Sequence, residues 1–330
     1  MSGVTHSDAD LATTIGPPAA PTSTGTSSRA KRWRPRGPQT AASRAAAWFL
    51  APSLLVIGGF FFLPVLAALA LSLTDFDIYA LADPGTARFV GIKNYVELAQ
   101  SAEFWQALWN TCYFVFVGGP LSVAVSLGAA LLVSAKVVRL KGLWRTIFFA
   151  PVVTTLVAVA VVWRYLYNAE YGLLNVGLGA IGLPGVDWLG DPNWAMPAII
   201  GLAVWKNFGY NMVIFIAGLA GVSEDLYDAA KIDGAGAWAR FRHVTLPALA
   251  PTFLFVGVIT MIGYFQLFAE PYVMTEGGPL RSTVSVVYLM YEEGFKFWNL
   301  GYASAVAFVL FALMMIGTLI QLRLQRKDDA

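Results

Sequence analysis

The chain is poor in charged residues and in the side chains that build disulfides and metal sites. Of its 330 residues only 13% are charged, whereas 57% are hydrophobic and the mean hydropathy is +0.62. A soluble domain of this length cannot bury so much apolar surface, so the composition indicates a membrane protein. The single Cys112 and the distant His6 and His243 provide neither a disulfide framework nor a cluster of metal ligands.

The short motifs of hydrolytic and nucleotide-binding chemistry are also missing. No Gly-Lys pair occurs, which excludes the phosphate-binding loop G-x-x-x-x-G-K-[ST], and neither G-x-S-x-G nor H-E-x-x-H is present. An intramembrane enzyme would need a nucleophile and a base, or a metal pair, within its spans. We therefore predict that the chain is not an enzyme and that it binds no ATP, Mg or other cofactor itself.

Long apolar runs, in contrast, are abundant. About 20 mostly apolar residues are needed to cross ~30 Å of hydrocarbon as a helix. Backbone groups in lipid must hydrogen-bond internally, and these runs are too long and lack the alternation of barrel strands. The sequence thus predicts an all-α polytopic membrane protein with six transmembrane helices. The predicted spans are 47–73, 107–134, 143–166, 197–220, 249–274 and 302–322.

The sequence before the first span and the positions of the cations predict the topology. Residues 1–45 are rich in Ala, Thr, Ser, Pro and Gly without a helical or strand period, which predicts a disordered tail before a membrane domain over 46–330. Sixteen Lys and Arg residues lie in segments on the same side of the membrane as the N-terminus, and four lie on the opposite side. Arg164 and Lys206, near span ends, are left out of this count. The positive-inside rule then places both termini and the loop 221–248 in the cytoplasm.

The loop 221–248 has an internal organisation of its own. Ser223 is the expected N-cap of a short amphipathic helix, and Gly234 is its expected left-handed stop. A second short helix then leads to Leu246 and Pro247, which mark the predicted entry to the fifth span, because the residue before a proline resists the helical region. A plain connector is the alternative, but roughly 25 residues is long against the two to eight that are usual between helices. Its small residues would let a partner surface approach the backbone closely.

The stretch DAAKIDGAGAWARFRHVTLP resembles the cytoplasmic loop signature of permease subunits of ATP-binding-cassette importers. That signature reads Glu-Ala-Ala, three residues, Gly, nine residues, Ile, any residue, Leu-Pro. The spacing matches throughout, and the departures are Asp for Glu and Val for Ile. The shorter Asp side chain reaches less far toward a partner. The residues at the signature positions are Asp228, Ala229, Ala230, Gly234, Val244, Leu246 and Pro247.

Two further stretches are similar to the carbohydrate-type branch of that family: FVGIKNYVEL (89–98) and VMTEGGPLRSTVSVVYLMYEEGFKFWNLGYASA (273–305). The resemblance covers nearly everything from 46 to 322. It implies a type I importer fold, a bacterial inner-membrane location and alternating access. It also implies three kinds of protein partner: a second homologous permease forming a heterodimer, two ATP-binding subunits that hold ATP and Mg, and an extracytoplasmic solute-binding protein. Membrane lipid is a further partner, and nucleic acid is not.

Polar side chains inside the predicted spans are candidates for a solute path, because each is unfavourable in lipid unless it faces a bundle interior or water. The spacing of Asn207 with Asn211, and of Gln266 with Glu270, is i, i+4, which predicts that each pair shares one helix face. Amide and carboxylate groups can hydrogen-bond sugar hydroxyls. The alternative is that these groups link helices to one another. The candidates are Asn207, Tyr210, Asn211, Tyr264, Gln266 and Glu270.

Together these features favour the permease subunit of an ATP-driven importer for a sugar or related carbohydrate. The alternative is a self-sufficient secondary transporter or channel for a small polar solute. That alternative predicts internal repeats or broken helices around coupling ions, and it needs no loop for docking an ATPase.

Overall fold

The computed structural model describes residues 40–328, and these residues form helices joined by short connections. The chain divides into two compact units between Val56 and Ile57, and the described part of the first unit is helical. The predicted tail lies outside the described residues as far as residue 39. Residues 40–45, which the sequence assigned to that tail, are helical, because the Ala-rich stretch TAASRAAAW is a good helix former.

The helices are numbered in chain order. They are α1 (Thr40–Ile57), α2 (Leu63–Ser72), α3 (Ile78–Ala82), α4 (Lys93–Gln100), α5 (Ala102–Tyr113), α6 (Gly119–Ser134), α7 (Lys141–Val153), α8 (Leu156–Leu166), α9 (Leu173–Ala180), α10 (Pro192–Ala220), α11 (Glu224–Ile232), α12 (Ala237–Arg240), α13 (Leu246–Ala248), α14 (Ala250–Phe265), α15 (Ala269–Met274), α16 (Val286–Tyr291) and α17 (Leu300–Asp328). Short π-helical turns continue the helix at 58–62, 114–118, 241–245 and 292–296.

Four helical stretches of the described chain are long and apolar enough to cross a membrane, and two bent pairs bring the number to six if each pair is one span. The four are Ala46–Leu71, Ala102–Ser134, Pro192–Ala220 and Leu300–Arg323. In the bent pairs, α7 meets α8 at 97°, and the helical segment Ala237–Ala248 meets α14 at 68°. The predicted all-α class is confirmed. The third apolar run is bent between α7 and α8, whereas the 68° bend lies at the start of the predicted fifth run.

The third run breaks at Thr154 and Thr155, whose backbones are extended. Apart from the Thr154 N–H, which donates to the Pro151 carbonyl at 3.3 Å, the helix supplies no donors to the carbonyl groups at the end of α7, and a lysine side chain of α10 donates to them. The Lys206 Nζ donates to the carbonyl oxygens of Pro151 at 3.0 Å and of Thr154 at 2.9 Å. Only 9% of the Lys206 residue surface is exposed. A buried ammonium group therefore holds the end of α7 against α10.

The fifth run ends at Phe265 rather than at residue 274. Pro271 explains the break, because a proline has no N–H for the carbonyl four residues earlier and its ring clashes with that carbonyl. The carbonyl in question is that of Leu267, and it accepts a hydrogen bond from the Ser285 hydroxyl instead. Gln266 then caps α14 while Glu270 lies in α15, so the prediction that these two residues share one helix face is wrong.

Helix α10 lies at the centre of the second unit. In its most apolar 18-residue stretch 61% of the residues are buried inside the fold. The corresponding fraction is 33% for Ala102–Ser134 and 22% for Leu300–Arg323. Gly209 lets α7 approach α10 closely, since a Cβ atom at this position would overlap the carbonyl oxygen of Phe148. The central position of α10 places its polar side chains inside the packed helices.

Candidate functional site

The first half of the loop segment 221–248 is a capped helix with a glycine stop. The Ser223 hydroxyl accepts a hydrogen bond from the Asp225 backbone N–H at 3.2 Å, as expected of an N-cap. At the other end Gly234 has φ +77°, and the Ala235 N–H donates to the Ala230 carbonyl at 2.8 Å. This is the hydrogen-bond pattern of a left-handed helix stop that favours glycine. The predicted roles of Ser223 and Gly234 are confirmed.

The second half of the segment differs from the prediction at its end. Helices α12 and α13 and the π-turn between them are continuous, and Leu246 is itself helical at φ −62° and ψ −47°. The chain bends at Leu249, next to Pro251 in the first turn of α14. The expectation that Leu246, as the residue before a proline, leaves the helical region is therefore wrong, whereas the bend at Leu249 coincides with the start of the predicted span 249–274. Pro247 lies within the continuous helix, directly after the π-turn, and supplies no backbone N–H there.

The base of the segment is fixed to the membrane helices. Phe241 and Leu246 pack on a buried cluster that includes Phe215 of α10 and the fully buried Leu249. The Tyr227 hydroxyl also lies 3.0 Å from the Thr245 hydroxyl, which joins α11 to the second half of the segment. The hydroxyl contact joins α11 to the second half of the segment, and the buried cluster joins that half to α10 and α14.

The tip of the segment, in contrast, is open. None of the residues of α11 is buried, and Ile232 is 86% exposed. Ala229 is exposed as well, so a partner surface can reach the backbone there. The Lys231 Nζ lies 2.6 Å from the Asp228 Oδ1, and this hydrogen bond, together with the lysine charge, lowers the pKa of the Asp228 carboxyl. Asp228 thus presents an ionised carboxylate beside a small residue.

A cavity of about 480 Å³ lies where the breaks of the third and fifth runs face α10. Its wall includes Val152 and Leu156 from the first break and Leu267 from the second. The candidate solute-path residues converge here although two separate runs supply them. All of Asn207, Tyr210, Asn211, Tyr264, Gln266 and Glu270 line this cavity.

The candidate residues differ in how fully their polar groups are paired. The Asn211 amide, in a residue only 3% exposed, donates to the Thr260 hydroxyl at 3.0 Å, which is the helix-linking role of the alternative. The Asn207 amide nitrogen donates to the Ala203 carbonyl of its own helix at 3.0 Å. Tyr210 and Gln266 are exposed. The cavity wall therefore contains both polar groups that are hydrogen-bonded within the protein and exposed polar groups that can bind a solute.

Tyr264 is the candidate with an unpaired buried group. The residue is 4% exposed, and its ring stacks on Phe114 with centroids 4.8 Å apart. The Tyr264 hydroxyl lies near Ser122 and Asn207 but has no hydrogen-bond partner within the described chain. Buried hydroxyl groups without a protein partner usually bind water or a ligand. A hydroxylated solute in the cavity would supply such a partner.

Sequence reasoning did not identify several cavity residues. Phe114, Val152 and Ile259 are apolar residues in apolar runs, and nothing in the sequence distinguishes them from lipid-facing neighbours. Lys206 was visible as a polar residue, but its partners lie at a helix break that hydropathy does not reveal. Over residues 40–328, no group of three or more His, Cys, Asp and Glu side chains is placed to hold a metal ion.

Comparison with known proteins identifies the family. Residues 121–327 match the family described as binding-protein-dependent transport system inner membrane component. The lactose transport system permease protein LacF of Rhizobium radiobacter is 36% identical over 278 residues, which cover 83% of this chain and 91% of that protein. The trehalose/maltose transport system permease protein MalF of Thermococcus litoralis is 33% identical over 278 residues, again 83% of this chain and 91% of that protein.

A solved structure shows the same fold. It is a bacterial ABC transporter involved in the import of the acidic polysaccharide alginate, and one of its chains superposes with a TM-score of 0.71 at 22% identity, covering 87% of this chain and 98% of that chain. The protein described here is thus an all-helical permease subunit of the type I ABC importer fold. It belongs to the family of binding-protein-dependent transport system inner membrane components. The resemblance drawn from the loop signature is confirmed.

Proposed function

We propose that this permease moves a sugar or related carbohydrate through the cavity between α10 and α14 by alternating access, driven by ATP hydrolysed on other subunits. The observation that carries the proposal is the connection from α11, through the Tyr227–Thr245 hydroxyl contact and the buried cluster around Leu249, to α14. The far end of α14, at Tyr264, lines the cavity. The carbohydrate class is supported by relatives named for lactose and for trehalose and maltose.

The proposed orientation puts both termini and the segment 221–248 in the cytoplasm. Its support is the distribution of Lys and Arg, sixteen of which fall on that side and four on the other. In this orientation the open α11 tip faces the compartment that contains ATP.

The proposed assembly contains a second homologous permease, two ATP-binding subunits that carry ATP and Mg, and an extracytoplasmic solute-binding protein. A related solved structure is described as an alginate transporter in complex with a periplasmic protein that holds an alginate pentasaccharide. That description supports the kind of partner expected on the outer side. The absence of a Gly-Lys pair supports placing ATP hydrolysis on a separate subunit.

The coupling step follows from the stiffness of the segment. An ATPase pair that closes on ATP moves the surface on which α11 rests, and the small Ala229 lets that surface reach the helix backbone. The cluster around Leu249 then carries the motion to α10 and α14, which changes the exposure of the cavity. Gly234 sets the angle between α11 and the second half of the segment.

A pair of glycine variants tests the coupling. Gly234→Val places a β-branched side chain at φ +77°, which costs about 1–2 kcal/mol and misdirects α11. Gly236→Val is the matched control, because Gly236 has φ −66° and open space around its Cβ position. We expect both variants to insert and only Gly234→Val to lose solute uptake. Normal uptake by a stably expressed Gly234→Val protein would refute the coupling role.

Docking itself is tested by a bulky residue at the tip. Ala229→Trp should prevent co-purification of the ATPase while leaving the permease folded, because the partner surface can no longer reach α11. The two broken runs are a feature that a secondary transporter also predicts. Purified chain that transports solute in vesicles without any ATPase would favour that alternative.

A further inference from the structure

The wall of the cavity carries one carboxylate and no basic side chain. Glu270 is the single Asp, Glu, Lys or Arg among the described residues that line it. The Glu270 carboxylate accepts a hydrogen bond from its own backbone N–H, and over residues 40–328 it forms no ion pair with another residue. Its remaining acceptor positions are available to a solute in the cavity.

The cation nearest in sequence to the cavity residues does not line the wall. Lys206 precedes Asn207 on α10, but its ammonium group donates to three carbonyl oxygens, those of Pro151, Val152 and Thr154. Its charge attracts Glu270, but the two side chains form no ion pair. Since these carbonyl bonds occupy its donors, Lys206 does not offer a hydrogen bond to an anionic solute.

The uncommitted polar groups on the wall suit hydroxyl groups. A sugar hydroxyl can donate to the Glu270 carboxylate, which is a stronger acceptor than a neutral oxygen. It can also pair with the Tyr264 hydroxyl, which lacks a partner in the described chain. A carboxylate or sulfonate on the sugar would instead meet a like charge on the wall, and the charge of Lys206 behind the wall would offset only part of that repulsion.

We infer that Glu270 makes the cavity select uncharged or cationic carbohydrates and reject anionic ones. The inference depends on the proposed function, in which the cavity holds the carbohydrate during transport. The natural cargo is then a neutral sugar or an amino sugar rather than a uronic acid or a sulfonated sugar. Glu270 is the specificity-determining residue, and its role is electrostatic.

The test uses three sugars that share a pyranose ring and differ in charge: glucose, glucosamine and glucuronate. Binding is measured by saturation-transfer NMR on the assembled importer in nanodiscs, without the solute-binding protein, so that selection by that protein does not contribute. We expect glucuronate to bind about threefold to tenfold more weakly than glucose, because two isolated like charges ~10 Å apart at an effective dielectric constant near 20 repel to about tenfold and the nearby Lys206 charge offsets part of this. Glucosamine should bind at least as well as glucose.

Two matched variants identify the residue responsible. Glu270→Gln should bring the affinities for the three sugars to within about twofold of one another while glucose binding persists, because a single charge is removed. Glu276→Gln removes an exposed carboxylate a few residues away that does not line the cavity, and the charge preference should remain.

The outcomes separate this inference from the proposed function. Equal binding of the three sugars by the unchanged importer would overturn the charge selection alone, as would a preference that survives in Glu270→Gln. An unchanged importer that binds none of the three sugars would overturn the carbohydrate cavity together with the charge selection.

Discussion

Replacing Lys206 by methionine removes the ammonium group that holds the broken third run while keeping a side chain of similar length. In the folded protein this group donates to the carbonyl oxygens of Pro151 at 3.0 Å, of Thr154 at 2.9 Å and, more weakly, of Val152 at 3.4 Å. The Pro151 carbonyl keeps two other donors, the Thr154 hydroxyl at 2.6 Å and the Thr154 backbone N–H at 3.3 Å. The Thr154 carbonyl has no such replacement within the described chain, so it loses its partner.

The size of the effect follows from these contacts. A hydrogen bond to a charged group contributes about 1.5–3 kcal/mol, and a buried carbonyl left without a donor costs about 1–3 kcal/mol. The buried ammonium group itself is unfavourable, and its removal offsets part of this loss. We expect Lys206→Met to lower the free energy of unfolding by about 2 kcal/mol, which corresponds to a fall in melting temperature of about 4–8 °C.

The assay is thermal unfolding of the detergent-purified protein, followed by the loss of the monodisperse peak in size-exclusion chromatography. Lys136→Met is the matched control, since Lys136 is exposed and pairs only with the exposed Glu224. Such surface pairs contribute about 0–1 kcal/mol, so the control should melt within a degree or two of the unchanged protein. If Lys206→Met melted together with the control, the proposed stabilisation of the helix break would be refuted.

The remaining predictions concern a close helix contact and one titrating group. Gly209→Ala should destabilise the protein by about 1–3 kcal/mol, because its Cβ would overlap the Phe148 carbonyl. Gly128→Ala, where that space is empty, should be neutral or stabilising by up to about 1 kcal/mol in the same melting assay. The hydrogen bond from Lys231 lowers the pKa of Asp228 and so stabilises α11 at neutral pH, a contribution lost as pH falls through the lowered value. Lys231→Met should therefore raise the pKa of Asp228 toward its ordinary value in a carboxyl ¹³C NMR titration, and an unchanged pKa would refute this.

Local features of the sequence predicted local structure well. Hydropathy located the apolar runs because lipid imposes a minimum length on each, and the cap at Ser223 and the stop at Gly234 follow from backbone chemistry within a few residues. The prediction at Leu246 and Pro247 failed because the helix runs through both residues, and the restriction on the residue before a proline is a preference that tertiary structure can override. The bend lies at the buried Leu249.

The helix breaks could not be predicted in the same way, because their stabilising donors lie far away in the sequence. The end of α7 depends on Lys206, and the carbonyl of Leu267 depends on Ser285. Pro271 is a local signal for the break between α14 and α15, but the hydropathy of this run is high throughout and does not show the break. The polar residues of the cavity could be predicted because they stand out in apolar runs. Its apolar residues, including Phe114, could not, because only the packing of the helices brings them to the cavity wall.

The side of the membrane on which α11 lies tests the central claim most directly. In a Cys112→Ala background, a single cysteine at the exposed Ala229 is treated with a membrane-impermeant thiol reagent in vesicles of known orientation, with Glu170→Cys as the control for the opposite side. We predict that Ala229→Cys reacts only from the cytoplasmic face and becomes protected when the ATPase subunits are bound. Labelling of Ala229→Cys from the outer face, together with Glu170→Cys, would contradict the proposed coupling.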